Sequence, residues 1–181
     1  MDCCCSGVEL NGRGGDRRVV KLLFRRENLD YSIKNYAYIE HDALPEDSEH
    51  TRHLVADICE EGNRDRVTSI LRLIHSDVVE MLYPYTKREV VEEVVDDSLW
   101  EPESYMVELN VPVGFSQTSV HLLSPLIHEY MVCRCLYDWL TIAHDEPAAA
   151  KWLEKGEAAR SEIMRIKNMR RGVLTRPLQP F

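Results

Sequence analysis

The 181-residue chain lacks the short motifs of the common enzyme chemistries. It contains no Gly-x-Ser-x-Gly elbow, no His-Glu-x-x-His zinc motif and no Cys-x-x-Cys pair. The glycine-rich stretch 12–15 lacks the Lys-Ser/Thr that completes a phosphate-binding loop. The sequence therefore predicts a protein that is not an enzyme and that holds no cofactor or metal.

A long uninterrupted apolar run is also missing. Residues 120–143 are the most apolar stretch, but Glu129, Arg134 and Asp138 interrupt it at positions that would face lipid. The beginning of the chain carries cysteines at positions 3–5 and no apolar segment of the kind found in secretory signal peptides. We therefore expect no membrane contact, and a location in the cytoplasm or in an assembled particle.

The six cysteines do not form a recognisable metal or disulfide pattern. Cys133 and Cys135 are two residues apart, so on a helix they point about 200° from each other and cannot chelate one ion. We expect both to be small buried hydrophobic residues. Residues 1–17 are rich in glycine and have no periodicity, which predicts a disordered lead before a single helical domain (18–171) and an extended tail (172–181).

A metal-dependent hydrolase is an alternative interpretation. His50 and His53 have the spacing of two ligands on one helical face. Two acidic pairs have a similar spacing: Glu46 with Glu49, and Asp57 with Glu60. All-α nucleotide pyrophosphohydrolases hold magnesium with such pairs, but they place the pairs on successive helices, whereas both pairs here are predicted on one short helix. Solvated surface residues explain the same pattern.

Three short segments have the character of β-strands. Residues 19–24 are rich in β-branched and apolar side chains, Tyr36–Ile39 alternates, and Tyr105–Val111 alternates until Pro112. We expect the first two segments to pair as a hairpin across residues 25–35 and the third to join them in a small sheet.

Helical periodicity covers most of the remaining chain. One short helix is predicted from a cap at Asp47 or Ser48 to Gly62, and a second follows Asn63 and ends before Pro84. The apolar positions of the second helix recur at steps of three and four: Val67, Ile70, Leu71, Ile74, Val78, Met81 and Leu82. The acidic residues 86–102 that follow predict a solvated loop.

The last third of the chain predicts two long antiparallel helices. The first is capped by Ser116 or Thr118, and a kink or a restart at Pro125 is the alternative. It is apolar around most of its circumference, so we expect it at the centre of the fold. The second, from Pro147 to Arg171, carries a narrow stripe with small residues: Trp152, Gly156, Ala159, Ile163 and Ile166. The sequence thus predicts an α-dominated α+β fold, a bundle of about four helices with a C-terminal α-hairpin and a small antiparallel sheet.

Charge is distributed unevenly along the chain. The net charge of −9 is the sum of +2 for residues 1–39, −12 for 40–104, −4 for 105–150 and +5 for 151–181. A subunit that is acidic in one part and basic in another can attract a second copy head to tail, although a solvated surface with local fluctuations has the same composition. The net acidity makes nucleic acid an improbable specific ligand.

The basic tail is the predicted partner contact. It combines arginines with apolar residues and prolines, which favours docking as an extended peptide on a protein surface. The predicted contact residues are Arg165, Arg170, Arg171, Arg176, Leu178 and Phe181.

The order of helices and the residue types between Leu122 and Lys167 resemble the C-terminal helical hairpin of tailed-phage head–tail connector (adaptor or neck) proteins. The resemblance implies a virion subunit, cytoplasmic before assembly, that forms a homo-oligomeric ring beneath the portal and reaches portal-type or other neck proteins with its C-terminal segment. The cysteines at 3–5 and the two N-terminal strands have no counterpart in that family's pattern. A monomeric helical interaction module remains the alternative of a different class.

Overall fold

A computed structural model describes residues 17–45, 49–88, 98 and 100–168. In chain order the described elements are β1 (Arg17–Arg25), α1 (Arg26–Ala43), α2 (Glu49–Ala56), α3 (Arg64–Met81), β2 (Ser104–Pro112), α4 (Gln117–Ile142) and α5 (Glu146–Asn168). The predicted α-dominated α+β fold, with a small antiparallel sheet and a C-terminal α-hairpin, is confirmed. None of the described helices combines the length and the apolar character needed to cross a membrane.

The sheet joins two strands that are far apart in sequence. β1 and β2 are antiparallel, with Leu22 opposite Val107 and Phe24 opposite Tyr105. These four side chains are buried against the helices, while the alternate positions of β1 are exposed. Strands at 19–24 and 105–111 are therefore confirmed.

The predicted strand at Tyr36–Ile39, and its hairpin with residues 19–24, are wrong. These residues lie in α1, where Leu29, Ile33 and Ala37 are buried at steps of four along one face. The helix is favoured over the strand because each turn along the eighteen residues of α1 buries another side chain, whereas the alternating pattern covers only four residues. β1 runs into α1 with no loop between Arg25 and Arg26.

The segment between α2 and α3 also differs from the prediction. α2 ends at Ala56 and is followed by two 3-10 turns, Asp57–Cys59 and Glu61–Asn63, so a continuous helix to Gly62 is wrong. The side chain of Asn63 donates to the carbonyl oxygen of Asp57 at 2.9 Å, which closes the turn on itself. α3 begins directly after Asn63 as predicted, and most of its apolar stripe is buried. The predicted caps at 47 and 48 lie outside the described residues.

α4 is the central helix, as predicted. It starts after Ser116 and continues through Pro125, so the first of the alternative starts is confirmed and a restart at Pro125 is wrong. Eleven of its residues are buried, on all sides of the helix. α4 contacts α1, α3 and α5, which accounts for its apolar circumference.

A three-residue turn connects α4 to α5. His144 has a positive φ of 60°, and the N–H of Asp145 donates to the carbonyl oxygen of Leu140 at 3.0 Å while that of His144 donates to Thr141 at 3.3 Å. This is a Schellman termination with histidine at the position that usually holds glycine. The Asp145 carboxylate accepts from the N–H of Ala148 at 3.3 Å and thereby caps α5.

Candidate functional site

The described part of the chain contains one of the six predicted partner-contact residues. Arg165 lies near the end of α5, with half of its side chain exposed, and its guanidinium donates twice to the Glu162 carboxylate, at 2.9 and 2.6 Å. These hydrogen bonds lower the pKa of Glu162. The other five residues lie outside the described part: Arg170, Arg171, Arg176, Leu178 and Phe181.

The remaining bases of α5 are bound within the subunit. Lys155 pairs with Glu129 of α4, and Lys167 donates to the carbonyl oxygen of Met81 at 2.7 Å, at the end of α3. Arg160 lies 3.7 Å from Glu157 on α5 itself. Lys167 therefore attaches the hairpin to α3, Lys155 joins the two helices of the hairpin, and Arg160 and Arg165 pair within α5.

Polar and aromatic contacts attach α5 to α1. Glu40 is only 6% exposed, and its carboxylate accepts from the Lys151 ammonium at 2.6 Å and from the Trp152 indole N–H at 3.0 Å. The ring of Tyr36 packs against Trp152 at 4.9 Å, and the Lys155 ammonium lies 4.8 Å from both ring centroids. Such cation–π and charge-assisted contacts fix the position of one helix on another.

The sequence contains one signal of this contact. Tyr36 and Glu40 are four residues apart on α1, and Lys151 and Lys155 are four apart on α5, so each pair presents its side chains on one helical face. Recognising that the two faces meet requires knowing that α1 is a helix.

A second buried cluster surrounds Arg26, the first residue of α1. Its guanidinium donates to Asp30 at 2.8 Å, to the hydroxyl of Thr68 at 3.0 Å and to the hydroxyl of Tyr105 at 3.3 Å, and lies 3.8 Å from Glu101. One side chain thus joins α1 to α3 and to β2.

Burial dominates the electrostatics of the Arg26 cluster. It raises the pKa of Asp30, although the Arg26 charge opposes that change, and it raises the pKa of the Tyr105 hydroxyl. A cavity of about 640 Å³ lies beside the cluster, and Arg64 and Glu101 form an ion pair at 3.2 Å in its wall. Arg26 pairs with Asp30 and Glu101, and Arg64 pairs with Glu101, so this part of the wall fits a structural clamp between three elements.

Ser32 of α1 and His128 of α4 form a third polar contact. The Ser32 hydroxyl lies 3.0 Å from the His128 Nε2 and 3.0 Å from the carbonyl oxygen of Asn28. A hydroxyl has one hydrogen, so when it donates to Asn28 it accepts from the imidazole, and His128 then acts as a donor rather than as a base. Burial lowers the pKa of His128, which keeps the ring neutral near pH 7.

The residues of the hydrolase alternative do not converge in the described part of the chain. His50 and His53 are exposed on α2, and Asp57 and Glu60 lie in the following turn rather than on the helix, so their predicted helical pairing is wrong. Among the described residues, no group of three or more His, Cys, Asp or Glu side chains is placed to hold a metal ion. Glu46 lies outside the described part.

Cys133 and Cys135 are fully buried in α4, as predicted. Burial raises the pKa of the Cys133 thiol to about 12, with a further contribution from the Glu129 carboxylate, and burial raises the pKa of Cys135 as well. Cys59 lies at the edge of the core, and burial raises its pKa to about 12. These three thiols are protonated at neutral pH and therefore poorly nucleophilic.

No protein-family model, curated protein or solved structure matches this chain. A function therefore has to be proposed from its own residues and fold.

Proposed function

We propose that this protein is a structural assembly subunit, a head–tail connector (neck) protein of a tailed phage or prophage. Its copies form an oligomeric ring, and the C-terminal segment docks on a partner such as a portal protein. The subunit acts in the virion and is cytoplasmic before assembly. The observation that carries this proposal is the long α4–α5 hairpin, which polar contacts hold to α1 and α3.

A subunit of a closed ring has to hold its two interfaces in a fixed relative orientation, because that orientation sets the position of the next subunit. The contacts of α5 meet this requirement. Glu40 anchors the first turns of α5 to α1, and Lys167 anchors its last turn to the end of α3. Both ends of the hairpin's outer helix are therefore held to the same body.

The charge distribution supports a partner for the tail. The bases of α5 between Lys151 and Lys167 are engaged with groups of their own subunit. We therefore assign partner binding to Arg170, Arg171 and Arg176, which follow the hairpin, together with the apolar residues Leu178 and Phe181. An acidic groove with apolar pockets is the chemistry that such a segment fits.

Self-association is tested with the purified full chain. Its mass is measured by light scattering over a wide concentration range, and the particles are imaged by negative-stain electron microscopy, alone and after coexpression with the portal protein encoded in the same genome. We expect closed rings, either alone or on the portal. A chain that stays monomeric in both conditions would instead support a monomeric interaction module.

Tail docking is tested with a chain that ends after Asn168. This truncation keeps all of α5, so we expect unchanged helical content and unchanged self-association, but loss of portal binding in a pull-down. The matched control replaces the exposed Arg160 by alanine in the full chain. Portal binding that survives the truncation contradicts the role assigned to the tail.

A further inference from the structure

The outward face of β1 alternates basic and apolar side chains. In order, these residues are Arg17, Val19, Lys21, Leu23 and Arg25, and all five are exposed. Val19 is 59% exposed and Leu23 is 54% exposed, although neighbouring residues of the same strand are buried in the core. The unpaired N–H and C=O groups of a strand at the edge of a sheet are a template for another strand, and exposed apolar side chains favour its addition.

The outer backbone edge of β1 is open in the described part of the chain. The N–H of Asn110 donates to Tyr85 at 2.7 Å, and the carbonyl oxygen of Met106 is hydrogen-bonded to His75 at 3.0 Å, so these residues of β2 point their backbone groups away from β1. In an antiparallel pair, opposite residues behave alike. Val19, opposite Asn110, and Leu23, opposite Met106, therefore present their N–H and C=O groups to the outer edge.

The charges of β1 restrict which strand can be added. No described carboxylate forms an ion pair with Arg17, Arg18 or Arg25, and Lys21 shares Glu108 with Arg88, at 3.9 and 3.1 Å. Two copies of β1 would place like charges close together across their junction, which is destabilising. The edge therefore favours a strand whose acidic residues alternate with apolar ones.

Residues 89–97 of this chain have that pattern. Their sequence is Glu-Val-Val-Glu-Glu-Val-Val-Asp-Asp, so every second position reads acidic, apolar, acidic, apolar, acidic. β1 has the same length of nine residues and the complementary order. An antiparallel alignment gives these opposite pairs: Arg17 with Asp97, Val19 with Val95, Lys21 with Glu93, Leu23 with Val91, and Arg25 with Glu89.

The residues on the other face of β1 distinguish an antiparallel from a parallel alignment of the added strand. Antiparallel alignment also places Arg18 opposite Asp96 and Val20 opposite Val94, whereas parallel alignment would place Arg18 opposite Val90 and Val20 opposite Glu92. We propose that the outer edge of β1 binds the acidic segment 89–97 of a second copy of this chain as an added antiparallel strand.

The geometry favours a second copy over the subunit's own segment. The chain reaches this segment at Arg88, which is bound to Glu108 of β2, and leaves it at Ser98, whose carbonyl oxygen accepts from Arg72 of α3 at 2.8 Å. Both ends are thus held on the β2 side of the sheet. Nine extended residues span about 30 Å, and crossing two strands in each direction uses about 20 Å of this length. The subunit's own segment is therefore too short to pair along all of β1.

A contact between β1 of one copy and segment 89–97 of the next is heterologous, because each copy contributes a different surface. Repeated from copy to copy, such contacts form a ring when the rotation between neighbours closes, and an open filament when it does not. The inference rests on the proposed self-association and assigns it an interface.

The edge is tested directly with a synthetic peptide of residues 88–98 that carries a fluorophore, titrated with the full chain. We expect saturable binding that Lys21→Glu weakens about tenfold, because it replaces an attractive cross-strand pair with a repulsive one. Lys34→Glu, on the exposed side of α1, is the charge-matched control and leaves binding unchanged. Absence of saturable peptide binding overturns the inference, whatever the oligomeric state.

A backbone variant separates strand addition from simple charge attraction. Leu23→Pro removes an N–H that points to the outer edge and keeps the net charge, so we expect peptide binding to be lost. Leu23→Thr, which retains the N–H, keeps binding within about threefold. Far-UV circular dichroism checks that both variants are folded. Equal binding by the two variants contradicts an added strand.

The assembly is tested with a charge swap in the full chain. Lys21→Glu and Glu93→Lys each weaken self-association about tenfold, and the double variant restores it, because the pair is re-formed with opposite signs. Rings that persist unchanged in both single variants would refute this interface and leave the proposed function standing. A wild-type chain that never forms rings but binds the peptide would refute the proposed function and keep the inference.

Discussion

Removal of the Arg26 side chain should be strongly destabilising. Its side chain is 7% exposed, and its partners belong to α1, α3 and β2. Arg26→Met retains much of the apolar volume but leaves the half-buried Asp30 carboxylate and the Tyr105 hydroxyl without their donor. Breaking a buried pair from one side costs about 3–5 kcal/mol, and the partial exposure of Asp30 reduces this to about 3 kcal/mol.

The loss is measured by urea unfolding followed by far-UV circular dichroism. We expect a lower midpoint with an unchanged slope, because the surface exposed on unfolding hardly changes. Arg26→Lys should lose about 1–2 kcal/mol, since one ammonium cannot reach the separate partners that the guanidinium fork contacts. In a chain that already carries Asp30→Asn, Arg26→Met should lower the free energy of unfolding by about 1–3 kcal/mol less than it does in the wild type. A cost below about 0.5 kcal/mol for Arg26→Met would refute the role of the cluster as a clamp.

Three further predictions concern the helices. A Cβ atom added at Gly156 would lie 3.5 Å from the Cβ of Cys133, which is an ordinary contact. Gly156→Ala should therefore stabilise α5 by about 0.5–1 kcal/mol and raise the melting temperature by about 1–4 °C. A lower melting temperature would contradict this spacing between α4 and α5, and Gly62→Ala, with open space around it, is the control. His144→Gly should add up to about 1 kcal/mol by relieving the positive φ, and a loss in thermal unfolding would contradict the Schellman turn. Burial lowers the pKa of His128 below its usual 6.5, so the unfolded chain takes up the proton first and stability should fall as the pH drops below about 6.5. His128→Asn should lose less melting temperature than the wild type between pH 7.5 and 5.5, and equal losses would contradict this assignment.

Local patterns predicted the elements whose periodicity is strong. α3 repeats its apolar residues at steps of three and four, and the stripe of α5 does the same, so both faces could be identified without tertiary information. α1 was missed in part because its buried face is built from few apolar residues, Leu29, Ile33 and Ala37, and includes the polar Glu40. That face becomes recognisable only when Glu40 is seen against Lys151 and Trp152.

The polar clusters could not be predicted for a different reason. Arg26 meets Thr68 and Tyr105, which lie 42 and 79 residues further along the chain. Nothing in the local sequence marks such a pairing, because a charged residue at a strand–helix junction is usually solvated. The pairing of β1 with β2 rather than with a neighbouring segment has the same origin: three helices separate the strands.

The absence of a loop between β1 and α1 has a mechanical consequence. Tension applied along β1 passes through the covalent backbone into α1, and the carboxylate of Glu40 near the far end of that helix conveys it to α5. β1 and α5 are thus connected through α1 without an intervening loop. A displacement of β1 should therefore be transmitted to the hairpin, and a displacement of the hairpin to β1.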